Sequence, residues 1–196
     1  MNTFKNFGLL IGSFLIMIIS VQSSFAQTFS VKKAGSNMKI EGTSNIHDWE
    51  IEAEDFQGTL SAEFKDGQLT KINSLEFAVV AESLKSGKGA MDKNTYKALD
   101  TDKHKKITYS LTKVNNIDCT SSTKCIITTS GYLTIAGTKN PVNITFNAQA
   151  NDSKIVLSGN ESIKMSQYKI DAPTAMFGTI TTGDEVKINF QITFSK

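Results

Sequence analysis

Val186-Lys187-Ile188-Asn189-Phe190-Gln191-Ile192-Thr193-Phe194-Ser195 changes character at every step. Its odd members are polar and its even members apolar. That period of two belongs to a strand with one dry face and one wet face, the pattern of an antiparallel sheet covering a core. Working back along the chain, Val142-Ile144-Phe146-Ala148 repeats it against Asn143-Thr145-Asn147-Gln149. Ile107-Tyr109-Leu111 does so against Thr108-Ser110-Thr112, and Trp49-Ile51-Ala53 alternates with Glu50-Glu52-Glu54.

Turn signals separate these runs. Lys65-Asp66-Gly67-Gln68 reads as a hairpin between 59–64 and 69–84. Residues 136–141 join the strand at 125–136 to the next, and Asn151-Asp152-Ser153 closes that one off. Thr182-Gly183-Asp184 precedes the final strand. About eight strands result, all linked as hairpins. One segment, 91–99, lacks alternation. Met91, Thr95, Ala98 and Leu99 share a helical side there and Asp92 suits the N-terminal dipole, so one short helix is expected. The fold class is therefore all-β, a single antiparallel eight-stranded barrel. A barrel of this size is filled by its own side chains or holds one small ligand.

The first residues indicate export. Lys5 is the sole charge before Lys32, an uncharged, mostly apolar run spans 7–21, and Ser24-Phe25-Ala26 offers small residues where a signal peptidase reads. Residues 1–26 read as a cleavable signal peptide cut after Ala26, leaving a domain of 27–196 in a periplasmic or secreted location. The run is short for a membrane anchor. The chain has 21 basic and 19 acidic residues and no Arg. Near-balanced charge without Arg argues against nucleic acid as a partner. In an oxidising compartment Cys119 and Cys125 would form a disulfide across a loop tip. Two free thiols, or half of a metal site with His47 and His104, are the alternatives. No motif sets an oligomeric state, and the reading calls for no metal and no cofactor.

Three stretches carry a family likeness. Gly42-Thr43-Ser44-Asn45-Ile46-His47-Asp48-Trp49 resembles the opening motif of YceI-like proteins. Residues 79–87 with Met91-Asp92 are similar to that family's strand and following helix. Gly131-Tyr132-Leu133-Thr134-Ile135-Ala136-Gly137-Thr138-Lys139-Asn140-Pro141-Val142 looks like its most specific motif. The likeness runs from about Phe29 to Phe194. It implies a lipocalin-like barrel and an exported protein that holds a polyisoprenoid or similar amphiphilic lipid. The Cys119–Cys125 tip is an addition to the family pattern, and Asp102-Lys103-His104-Lys105-Lys106 stands where a Pro is usual.

On this reading the cavity wall is sought in Trp49, Phe77, Val79, Tyr109, Tyr132, Phe146, Met165, Phe177 and Phe190. Each could equally be ordinary core. His47, Lys93 and Lys97 are placed at the cavity mouth, because 85–106 holds seven Lys against three Asp. Such a lip would attract an anionic head group or make transient contact with an anionic membrane surface. Two rival readings stand beside this one. The alternation also suits an outer-membrane barrel with its apolar face outward. Ser44, His47 and Asp48 have the residue types of a hydrolase, but neighbours in extended chain diverge and no nucleophile elbow is present, so no catalytic residue is assigned.

Overall fold

The computed structural model describes residues 26–196, so the expected leader lies outside the described residues except for Ala26. The strands are β1 (Gln27–Ser44), β2 (Trp49–Ala53), β3 (Phe56–Lys65), β4 (Gln68–Val80), β5 (Leu84–Lys85), β6 (Lys106–Cys119), β7 (Lys124–Ile135), β8 (Thr138–Asn151), β9 (Lys154–Lys164), β10 (Thr174–Ala175) and β11 (Ile180–Ser195). One α-helix, α1, covers Gly89–Leu99, starting slightly before the expected 91. Eight strands form a closed antiparallel ring in the order β1-β3-β4-β6-β7-β8-β9-β11, and β11 returns to pair with β1. The all-β, eight-stranded barrel is therefore observed. The short β2, β5 and β10 extend the sheet at one end, β2 on β1, β5 on β2 and β10 on β11.

Two joints are tighter than the sequence suggests. Asp66-Gly67 and Ala136-Gly137 both have positive φ at each residue, the backbone of a two-residue hairpin turn. Thr138 to Pro141 therefore belong to β8, with Pro141 opposite Tyr132. Likewise β11 begins at Ile180, ahead of Thr182-Gly183-Asp184, because Ser44 of β1 pairs with Thr182.

The seam between β1 and β11 contains a bulge. Pairing runs from Ser30↔Ser195 to Lys32↔Thr193 and resumes at Asn37↔Gln191. The displaced residues repair the ladder themselves. Thr193 N–H donates to Ser36 Oγ (2.8 Å) and its hydroxyl to Gly35 O (2.8 Å), so this buried threonine is satisfied. A bulge bends the strand, which helps a long β1 curve round to serve β3, β2 and β11.

Alternation sorts the two faces. On β8, Ile144, Phe146, Ala148 and Ala150 are buried while Asn143, Thr145, Asn147 and Gln149 are exposed. The apolar face is the inner one. One end of the barrel is packed solid. Phe29 starts β1, Leu69 starts β4, Ile127 and Ile155 stand near the starts of β7 and β9, and Phe194 ends β11; all are at most 2 % exposed. The Phe29 and Phe64 rings meet there at 6.0 Å.

Cys119 and Cys125 are cross-strand partners at the tip of the β6–β7 hairpin and are joined by a disulfide. This settles the alternatives left by the sequence. Closing this small loop restrains the unfolded chain. The double variant Cys119→Ser, Cys125→Ser is expected to lose about 2 kcal/mol of stability, read as a lower denaturant midpoint with an unchanged slope.

Candidate functional site

The opposite end is hollow. Here the ends of β1, β7 and β9 meet the starts of β2, β6 and β11, and their inward residues are aliphatic. Ile40, Ile51, Val79, Leu84, Ile107, Leu133, Ile135, Ile163, Val186 and Ile188 line a cavity of about 390 Å³. A deeper chamber of about 110 Å³ adjoins it. The two share Met38, Val79, Ile107, Leu133 and Ile188 as wall. Tyr109, Phe146 and Phe190 line the deeper chamber as a chain of edge-to-face rings, 6.3 and 5.8 Å between centroids. A cavity of this size, mostly apolar with few polar groups, is the usual form of a small-molecule site.

Helix α1 covers one side of the mouth. Ala90, Met91, Asn94, Thr95, Ala98 and Leu99 face the cavity, yet no α1 residue is fully buried. The helix is held from its flanks. Ser86 N–H and hydroxyl both donate to Asp92 Oδ1 (2.8 and 2.6 Å), which keeps that carboxyl below its ordinary range. The Tyr96 hydroxyl receives Lys85 Nζ at 2.5 Å and reaches the carbonyls of Glu82 and Leu84.

Four aromatic rings around the lumen each lie over a glycine. A Cβ added to Gly42 would stand 2.2 Å from Trp49, and on Gly131 2.7 Å from Tyr109; Gly159 and Gly58 hold Phe190 and Phe77 at 3.0 and 3.1 Å. Gly42↔Trp49, Gly58↔Phe77 and Gly159↔Phe190 are direct cross-strand pairs. The missing side chain lets each ring lie back on its neighbour's backbone. Trp49 is fixed further by its Nε1–H, which donates to Thr43 O at 3.0 Å.

Of the expected wall residues, Trp49, Val79 and Met165 line the main cavity, and Phe77, Val79, Tyr109, Phe146 and Phe190 the deeper one. Two assignments are corrected. Tyr132 has the parity opposite to Leu133 and Ile135, so it points outward, 38 % exposed, with Lys139 Nζ 4.3 Å from its ring centre. Phe177 is off the strands altogether and wholly exposed. The lysines are corrected as well. Lys93 and Lys97 are exposed and lie on the side of α1 away from the cavity-facing residues, whereas Lys88 at the helix N-cap lines the mouth.

His47 lines the mouth, but Ser44, His47 and Asp48 do not form a hydrolytic relay. The Ser44 hydroxyl donates to His47 O (2.6 Å) and accepts from His47 N–H (3.2 Å), closing a turn. His47 Nδ1 meets the Asp48 main-chain carbonyl at 2.9 Å rather than a carboxylate. Asn45 pins this turn to β11, its side chain bonding Thr179 O and Thr181 N–H. Among the described residues, no three His, Cys, Asp or Glu side chains gather as a metal site.

Glu161 lies outside the expected wall and mouth residues. On β9 the inward positions are Ile155, Leu157, Gly159, Glu161 and Ile163, so one carboxylate interrupts an otherwise apolar face. Glu161 lines the deeper chamber. Loss of water around it pushes its carboxyl above the ordinary range. The nearby Tyr168 phenol is raised too, first by burial and then by the Glu161 charge. Separating the two faces of 155–163 would have exposed this residue from sequence.

A closed antiparallel barrel, plugged at one end and hollow and apolar at the other, is the architecture that lipocalins also use. The YceI-like domain model matches residues 20–194, and the chain belongs to that family. Among solved structures it resembles BcnA of Burkholderia cenocepacia, at 18% identity and TM-score 0.63, over 83% of this chain and 98% of that one. It also resembles a polyisoprenoid binding domain from Saccharophagus degradans implicated in plant cell wall breakdown, at 11% identity and TM-score 0.66, over 85% and 97%. The Campylobacter jejuni YceI protein aligns at 19% identity and TM-score 0.52, over 73% and 82%. No curated protein matches the chain in sequence.

The glycine beneath Trp49 gives a direct test of this wall. Gly42→Ala should push the ring off its seat, cost about 1–3 kcal/mol through overpacking and shift the emission of the single tryptophan. An unshifted spectrum would show that the ring does not depend on Gly42.

Proposed function

We propose that this chain is an exported carrier that holds a polyisoprenoid or similar amphiphilic lipid inside the barrel and performs no chemistry on it. The observation that carries this reading is the hollow, aliphatic half of the barrel beside a solidly packed half. Each CH₂ moved there from water contributes about 0.8 kcal/mol, so a few isoprene units reach micromolar affinity even against the cost of association. The structural likeness to a polyisoprenoid binding domain supports the same ligand class. The leader-like N-terminus and the disulfide support a periplasmic or secreted location.

The rival readings fit less well. An outer-membrane barrel shows lipid an apolar outer band, whereas the outer faces of β8 and β11 carry Asn143, Thr145, Asn147, Gln149, Lys187 and Gln191. A hydrolase needs a serine free to attack, and the Ser44 hydroxyl is engaged in its turn.

Lipid-binding should depend on the lumen and not on the outer lysines. Native mass spectrometry of the purified protein is expected to reveal a co-purifying lipid. Ile188→Trp, which fills the junction of the two chambers, should lower its occupancy at least about tenfold. Lys93→Glu with Lys97→Glu should leave it within about twofold. Retention by the tryptophan variant would overturn the carrier reading.

Transient membrane contact during loading is part of this reading, and exposed apolar residues favour it. Ile46 lines the mouth, and Met176 and Phe177, which follow the lining residue Ala175, are exposed and both held at positive φ, which bulky residues ordinarily avoid. Burying one phenyl ring in a bilayer is worth about tenfold in partitioning or more. Phe177→Ser is therefore expected to lower co-sedimentation with vesicles containing anionic lipid about tenfold while leaving thermal stability unchanged.

A further inference from the structure

The deeper chamber contains a polar group that nothing among the described residues answers. Glu161 is the one carboxylate among the residues lining either chamber. Its cross-strand partner on β11 is Ile188. On its other side β8 and β9 have parted, since their paired residues end at Asn147↔Ser158. Among the described residues no hydrogen bond or ion pair reaches its carboxylate, and burial alone shifts it, the Tyr168 phenol being near enough to feel its charge. The Tyr109–Thr129 pair, by contrast, is satisfied. The Tyr109 hydroxyl donates to Thr129 Oγ1 (3.1 Å), which passes its own proton to Ile144 O (2.9 Å). Lys88 and His47 stand in the lining of the main cavity at the mouth, not in the deeper chamber.

An ionised carboxylate accepts hydrogen bonds and donates none. Partly removed from water without a partner, it disfavours the empty protein. Both the open position and the chemistry select the guest. We infer that Glu161 is a specificity residue that receives the hydrogen-bond-donating end of an amphiphile, an alcohol or an amine, lying inward in the barrel with its chain along the aliphatic wall. This rests on the carrier reading and narrows it. An anionic head group placed in the same position would meet a like charge with no cation beside it, so it is selected against there.

Titration of wild-type protein with four probes of one chain length, read by Trp49 fluorescence, tests the inference: farnesol, farnesylamine, farnesyl diphosphate and the hydrocarbon farnesene. Trp49 is the sole tryptophan and lines the main cavity. Farnesol and farnesylamine should bind about tenfold or more tightly than farnesene, the gain expected from a hydrogen bond to a charged group, and farnesyl diphosphate more weakly than farnesol. In Glu161→Leu the alcohol and amine should fall to the level of farnesene, which itself binds at least as well as before. Glu161→Gln, with the same shape, should lose most of the preference for the amine. A Leu variant that keeps the preference for farnesol, or a wild type that binds farnesyl diphosphate most tightly, would overturn the assignment while leaving the carrier reading intact. Failure of all four probes to bind wild type would overturn the carrier reading, and this inference with it.

Discussion

The pairing of the first strand with the last makes an interior possible. Left open, β1 and β11 would each expose a row of unpaired backbone groups, and the apolar face between them would be wet. Closure requires β1 to bend, and the bulge at 33–36 allows it. The cost of a bulge is the loss of ladder bonds. Ser36 and Gly35 restore them by taking the N–H and hydroxyl of Thr193. The seam is therefore both curved and satisfied, and each strand between β3 and β9 inherits a definite inside.

The inside is not uniform. Phe29, Phe64 and Phe194 with Leu69, Ile127 and Ile155 plug the end where β1 begins, while mainly aliphatic residues line the hollow end where it finishes. Packing at the closed end supplies the stability that a hollow end forgoes. The open end is roofed by a helix without a buried residue, tethered through Asp92 and Tyr96. That roof rests both on these hydrogen bonds and on the partly buried Met91, Ala98 and Leu99, which pack against the core.

Much of this was legible in the alternation. The parity of 186–195 and 142–149 specifies which side chains face inward, and Asp66-Gly67 marks its hairpin, whereas the two-residue turn at 136–137 is tighter than the connection expected over 136–141. The errors came where aromatic character was allowed to outweigh parity. Tyr132 sits between Gly131 and Leu133, and the inward place of Leu133 already excluded it. Phe177 lies in a segment without period, where no parity exists to consult. Lys88 rather than Lys93 or Lys97 reaches the mouth because a helix shows only one side to what it covers, and 93 and 97 fall behind the 91–95–98 stripe. Glu161 becomes legible only when the two faces of 155–163 are separated. The hollow itself was not legible, since whether inward side chains meet across a barrel depends on ring orientation, which residue types alone do not give.

The four rings seated on glycines have a consequence for how such a protein changes its guest. At those positions capacity is governed by residues that have no side chain and never touch what is bound. A methyl group at 42 would press on the Trp49 ring alone, whereas at 58, 131 or 159 it would meet a neighbouring backbone carbonyl as well as the ring, so wall and ring would shift together with the chemistry of the lining left as it was. Bore and selectivity are thus separable traits in this barrel, one written in the backbone's gaps and the other in a single acid.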